Sequence, residues 1–205
     1  MVTSRYILPT IVERTGRGEY AVDPYSKLFT DRVVFLGVPV DDACANDVMA
    51  QLLYLDHDMP GREISLYLNS PGGSVTAMMA IHDTMRFVMS DIRTVCLGQA
   101  NSVAAILLAA GTRGKRLILP NARVVLRQPE LPVEQGSASD LEIQANEVLR
   151  TRDVMVGLLA GHTGRDLDRV RRDLDRDTIL PAADALAYGL VDELIGSRKA
   201  LAQLS

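Results

Sequence analysis

Two turns carry residues whose types and spacing could do chemistry. The first is Asn69-Ser70-Pro71-Gly72-Gly73, between the strand-like run Glu63–Leu68 and a helical pattern from about Val75 to Met89. Consecutive glycines there allow backbone N–H groups to face a ligand, and the helix start adds a partial positive charge. Such a nest can stabilise an oxyanion, although the same pattern also makes ordinary strand-to-helix turns. The second turn is Gly98-Gln99-Ala100-Asn101-Ser102-Val103. It places Ser102 at the start of an apolar helix, with the Val103 N–H pointing outward. A serine there is either a helix N-cap or a nucleophile.

The elements that position these turns alternate in type. Arg32–Val40 and Glu63–Leu68 read as buried strands. Between them a helix capped by Asp41 or Asp42 turns Val48, Leu52 and Leu53 inward. Ile92–Leu97 is a third strand, followed by the small-residue helix Ser102–Ala110. Arg116–Leu119 and Arg123–Leu126 flank Pro120-Asn121, which predicts paired strands around a tight turn. A long helix spans about Ser139–His162, with Leu141, Ala145, Val148, Leu149, Met155 and Leu158 as its apolar residues and Gly164 as its stop. Shorter helices over Leu167–Leu174 and Pro181–Tyr188 and a strand-like Leu190–Ile195 complete an α/β pattern. Residues 1–24, with Pro9, Gly16, Gly18 and Pro24, read as an arm that is processed or pore-lining rather than core.

The 205 residues are 47% apolar with a net charge of −4, which fits one globular domain and gives nucleic acid no basic stripe to bind. No apolar run reaches membrane length, and the charged N-terminus contains no signal-peptide core. Cys44 and Cys96 lie far apart in apolar stretches, so they read as reduced core thiols in a cytoplasmic protein.

The runs LYLNSPGGSVTAMMAIHDTM, GQANSVAAILLAAGTRGKRLILPNARVVLRQP, DLEIQANEVLRTRDVM, HTGRDLDRV, DLDRDTIL and ALAYGLVDELI resemble, block by block and in order, the caseinolytic (Clp) protease proteolytic subunits. The likeness covers about Tyr25 to Ile195. The arm motif RYILP and FLGVPVDDACANDVMAQLL look most like the second actinobacterial paralogue. The resemblance implies a crotonase-like α/β fold of repeated β-β-α units over residues 25–195, with a protruding strand-helix handle at about 130–162 and a tail at 196–205. It also implies a Ser-His-Asp protease whose subunits stack as two seven-membered rings around a chamber. Carried over, Ser102 is the nucleophile, Gly73 and Val103 are the oxyanion donors, and Asp177 is the acid. Tyr67 and Phe87 match aromatic residues of the chaperone-docking pockets, and Asp175 and Arg176 match a ring-to-ring contact. In the handle, Pro132 and Glu134 depart from the family's small residues. The implied partners are an AAA+ ATPase unfoldase and a paralogous active subunit; no cofactor, metal, nucleic acid or membrane is implied. No Gly-Lys-Ser/Thr phosphate loop occurs, so ATP belongs to the unfoldase.

One residue breaks the pattern. Where the family has its catalytic histidine, before Gln-Pro, this chain has Arg127. A guanidinium, with a pKa above about 12 and no acceptor lone pair, can neither take the serine proton nor return it. Arg127 is therefore expected to pair with Asp177 and leave Ser102 an ordinary alcohol. His57, His82 (at a tyrosine-like position) and His162 fall outside the triad blocks and read as structural or surface residues. Lys115 sits in a Gly114-Lys115-Arg116 turn that active members share, so a Ser–Lys dyad is not favoured. Three functions compete: an active endopeptidase with another base, a non-catalytic subunit of a mixed ring, and a crotonase-like acyl-CoA enzyme. The last suits the blocks least.

Overall fold

The polar start of the chain, expected as an arm, forms a hairpin in which β1 (Ile11–Thr15) pairs antiparallel with β2 (Gly18–Val22). The computed structural model describes residues 9–15, 18–128 and 137–197. Helix α1 (Pro24–Thr30) follows, started by Asp23, whose carboxylate accepts from the Tyr25 and Ser26 N–H groups at 2.9 and 3.1 Å.

The body alternates as the hydrophobic pattern predicts. Strand β3 (Val33–Leu36) leads to α2 (Asp42–Asp58), β4 (Ile64–Ser70) to α3 (Val75–Phe87), and β5 (Ile92–Asn101) to α4 (Val103–Ala109). These strands lie side by side and parallel, in the order β3-β4-β5. Parallel pairing requires a crossover, which each helix supplies. On α2 the buried face is Ala45, Val48, Leu52 and Leu55, whereas Leu53, expected inside, is exposed. Every residue of α4 is buried, as befits a helix apolar on all sides.

One expectation fails. Strands β6 (Arg116–Ile118) and β7 (Arg123–Leu126) do not pair with each other. Both run parallel to β5, in tandem along its edge: β6 against Thr94–Cys96 and β7 against Gln99–Asn101. The Pro120-Asn121 segment is thus a jog between two successive stretches of one edge. A hairpin would reverse the chain, and parallel pairing to a common strand forbids that. Along the edge, β9 (Glu193–Leu194) joins β6 in parallel and β8 (Thr178–Pro181) joins β7 antiparallel.

Helix α5 (Ala138–Thr163) starts with a capping box of Ser137 and Asp140 and ends at Gly164 in the left-handed conformation. Its first half is exposed, with Leu141, Ile143 and Leu149 facing solvent. Its second half brings Met155, Val156 and Leu159 into the core. The segment with Pro132 and Glu134 lies outside the described residues. Helices α6 (Leu167–Asp175) and α7 (Ala182–Tyr188) return the chain to the sheet.

A buried cation fastens the end of the fold. Arg116 donates to Asp192 through Nε and Nη2, at 2.9 and 2.5 Å, and through Nη1 to the Ala109 and His162 carbonyls. Burial raises the Asp192 pKa, but Arg116 outweighs it and holds the carboxyl below its ordinary range. Removing one partner strands a buried charge. Asp192→Asn should cost about 2–3 kcal/mol in urea denaturation, less than for a fully buried pair because Asp192 keeps some solvent. An unchanged urea midpoint would contradict this account.

Candidate active site

The buried α4 fixes the residue that precedes it. Ser102 is held at φ 50° and ψ −116°, a strained backbone for a residue with a side chain. Such strain costs on the order of 1–3 kcal/mol and persists only where the surroundings impose it. Here the Ser102 N–H donates to the Val125 carbonyl at 2.7 Å, and Ala105 N–H donates to the Ser102 carbonyl at 3.0 Å. Ser102 sits at the N-cap position of α4, but its hydroxyl makes no capping hydrogen bond. Val103 N–H, at the first helical position, has no acceptor within α4.

The glycine turn closes on the same point. Gly72 has φ 100°, and a Cβ added there would lie 2.8 Å from the Asn101 carbonyl oxygen and 3.3 Å from Ser102 Cβ. Gly73 has φ 152°, and its added Cβ would fall 2.2 Å from the Val40 carbonyl oxygen. Val40 N–H donates to the Gly72 carbonyl at 2.9 Å, and Ser74 N–H donates to the Val40 carbonyl at 2.7 Å. This parallel bridge uses the groups on either side of Gly73 and turns the N–H of Gly73 itself away from Val40. Ser70 steadies the turn, its hydroxyl donating to the Val38 carbonyl at 2.7 Å and accepting from Gly72 N–H. Two backbone donors thus flank the serine from different elements. The glycines were legible in the sequence; Val40, 33 residues upstream of Gly73, was not.

Strand register brings up the other two residues. Asn101 pairs with Val125 on β7, and Leu126 pairs with Thr178 on β8. One step further, Arg127 faces Asp177. The expected ion pair is present and two-pronged: Nε donates to Oδ1 at 3.0 Å and Nη2 to Oδ2 at 2.5 Å. That hydrogen bonding holds the Asp177 carboxyl below the usual carboxylate range. Next to it, Gln128 Nε2 donates to the Asp175 carbonyl and carboxylate at 3.1 and 2.9 Å, and Arg152 of α5 reaches Asp175 at 3.4 Å. Gln128 and Arg152 position the Asp175–Asp177 loop, a role that no local sequence signal announces. Arg176 is exposed beside them.

The remaining candidates stand apart from this cluster. Lys115 Nζ lies between Glu63 and Asp91, at 2.9 and 2.8 Å, and these partners raise its pKa. His82 and His162 bond to each other at 3.0 Å, and His57 is exposed on α2. Burial pushes the Cys96 thiol up to about 12. Tyr67 is half-buried beside Val95, Leu117 and Ile195, whereas Phe87 is 80% exposed, which excludes a core role for it. Among the described residues no three His, Cys, Asp or Glu side chains gather to hold a metal, and no helix is long and apolar enough to cross a membrane.

The Clp protease family profile matches residues 16–198. The ATP-dependent Clp protease proteolytic subunit 4 of Streptomyces avermitilis is 59% identical over 96% of this chain and 87% of its own length. Subunit 3 of Frankia casuarinae is 58% identical over 98% of this chain and 94% of its own. Subunit 1 of Bifidobacterium longum is 55% identical over 96% and 84%.

The glycine geometry has a measurable consequence. Gly73→Ala combines a left-handed φ with a backbone overlap at Val40, so it should cost well over about 1 kcal/mol in chemical denaturation. An alanine variant as stable as the native protein would remove the Val40–Gly73 bridge from the account.

Proposed function

This chain belongs to the Clp protease family, and from that premise we propose that it is a chamber subunit of an ATP-dependent Clp protease whose own peptidase step is impaired. One observation carries the reading: the position that should shuttle the serine proton holds a guanidinium clamped on Asp177. In a serine protease the base takes the Ser Oγ proton during attack and returns it to the leaving amine. Histidine manages both because its pKa lies near 6.5. Arginine stays charged and can only donate. Ser102, the Gly73 and Val103 N–H groups and Asp177 keep the other roles, so acyl-enzyme formation lacks its proton acceptor while the oxyanion site remains.

Among the described residues no substitute base comes forward. Lys115 is held as a cation by Glu63 and Asp91, and His82 and His162 are committed to each other. The subunit is best suited to a mixed ring, where a paralogue with a complete triad cleaves and this chain completes the chamber wall. In the cytoplasm, an AAA+ unfoldase would feed such a chamber. Tyr67 and the exposed Phe87 are the residues proposed to meet the unfoldase, residues 1–24 to line the entrance, and Asp175 and Arg176 to report contact between rings.

Loss of the base in a serine triad lowers turnover by roughly a millionfold. The purified chain should therefore hydrolyse a fluorogenic peptide near the background rate. Arg127→His should raise that rate by at least about a thousandfold, and Ser102→Ala in that background should abolish the gain. Brisk cleavage by the unaltered chain, lost on Ser102→Ala, would refute the impairment. Labelling of Ser102 by a fluorophosphonate, compared before and after Arg127→His, reports the nucleophile directly.

A further inference from the structure

We propose that His82 and His162 form a one-proton latch between α3 and the last turn of α5, closed while the two rings hold at most one extra proton and opened when both are protonated. The two Nε2 atoms are 3.0 Å apart and the ring centroids 5.3 Å apart, the rings tilted by 59°. The centroid separation matches the N–N contact plus one centroid-to-nitrogen distance on each side, so the nitrogens point straight at each other. One must donate and the other accept. A bound metal would need the two lone pairs to converge on a point off that line; in line, they share a hydrogen.

Proton bookkeeping follows from the neighbours. His82 is buried, and its Nδ1 lies 3.0 Å from the Asp83 carboxylate. In the neutral pair His82 Nδ1–H donates to Asp83, and His82 Nε2 accepts from His162 Nε2–H. With one added proton in the pair, one ring carries two N–H groups and donates through its Nε2 to the bare Nε2 of the other, whose hydrogen sits on Nδ1. Every bond survives. A second proton places two N–H groups and two like charges face to face, and the contact is lost.

The surroundings disfavour that second proton. Arg86 of α3, Arg113 of the turn before β6 and Arg116 of β6 all face His162, and α4 contributes no charged residue. Asp192 accompanies Arg116. Burial first, then His82 and the three arginines, push the His162 imidazole down to about 4. A cavity of about 340 Å³ lined by His162, Arg86, Arg113, Arg116 and the Asp91 carboxylate gives water a route to His162.

The sign is fixed by linkage. An open or unfolded His162 takes a proton near 6.5, whereas the latched one waits until about 4. Opening therefore gains a proton between those values and becomes roughly tenfold more favourable per pH unit on acidification, with no dependence from this source above pH ~6.5. A tyrosine at position 82 could make the neutral contact but could not take the repelling charge.

Amide hydrogen exchange on the full chain, corrected for intrinsic rates, tests the latch. Protection of the last two turns of α5 should fall roughly tenfold per pH unit between pH ~6.5 and ~4. His162→Gln, folded at neutral pH by circular dichroism, should flatten that slope. A pH-independent protection in the native chain, or the same slope in His162→Gln, overturns the proposal. Long-range imidazole nitrogen spectra of the native chain decide without any variant: stepwise, coupled titration supports the latch, and two independent transitions near 6.5 refute it.

Discussion

The burial of α4 is the constraint on which the candidate site depends. Seven consecutive apolar or small residues, all shielded from water, leave this helix no freedom to rotate or slide. At roughly 25 cal/mol per Å² of apolar surface, their burial far exceeds the strain on one residue. The core can therefore hold Ser102 at a positive φ. Because α4 also touches β4, β5, β7, α3 and α5, the serine's position is set by the whole body. The second-order features obey the same constraint: Gly72 has no side chain because Ser102 and Asn101 occupy that space, and Gly73 has none because Val40 does.

Against that rigid frame, the arginine is structurally inexpensive. Arg127 and Asp177 lie at the ends of two strands, with side chains 42% and 51% exposed. Exposed ion pairs contribute little to stability because water and salt screen them. The arginine sits at the end of an intact strand register and satisfies Asp177 with two hydrogen bonds. The consequence proposed for it lies in chemistry. Folding responds to shape, burial and charge pairing, all of which arginine supplies here. Catalysis needs a lone pair that can be vacated and refilled near neutral pH, which arginine lacks. On the proposed reading, the site keeps its architecture and loses its reaction through one side chain.

What was legible in the sequence follows from the range of each interaction. The two turns, the helix start at Asp41 and the stop at Gly164 were readable because their partners lie within a few residues; the long helix was read from Ser139, two residues past its Ser137 cap. The proposed triad positions rest on the family blocks, since the residues alone left Ser102 an N-cap or a nucleophile. Features set by distant pairing were not readable. The Pro120-Asn121 jog looks locally like a hairpin, and only the edge of β5 decides otherwise. Arg152 meets Asp175 across 23 residues and His82 meets His162 across 80, with no local pattern to signal either. Leu141 and Leu149 show the converse: they were read as part of the helix's apolar pattern, yet this half of α5 stands clear of the chain's own core.

That last mismatch bears on how the subunit contributes to an assembly. An isolated helix half with exposed leucine and isoleucine gains little from its own chain, so its stability must come from elsewhere or from local devices such as the Ser137–Asp140 capping box. Its other half is anchored in the core and linked through Arg152 to Asp175, and hence to the strand carrying Arg127 and Gln128. Anything that orders the exposed half would be felt at the Asp175–Asp177 loop through a short chain of contacts. On the proposed reading, in which the chain has no proton acceptor, this linkage would serve geometry, holding the Asp175–Asp177 loop and the strand end at Arg127 and Gln128 in place.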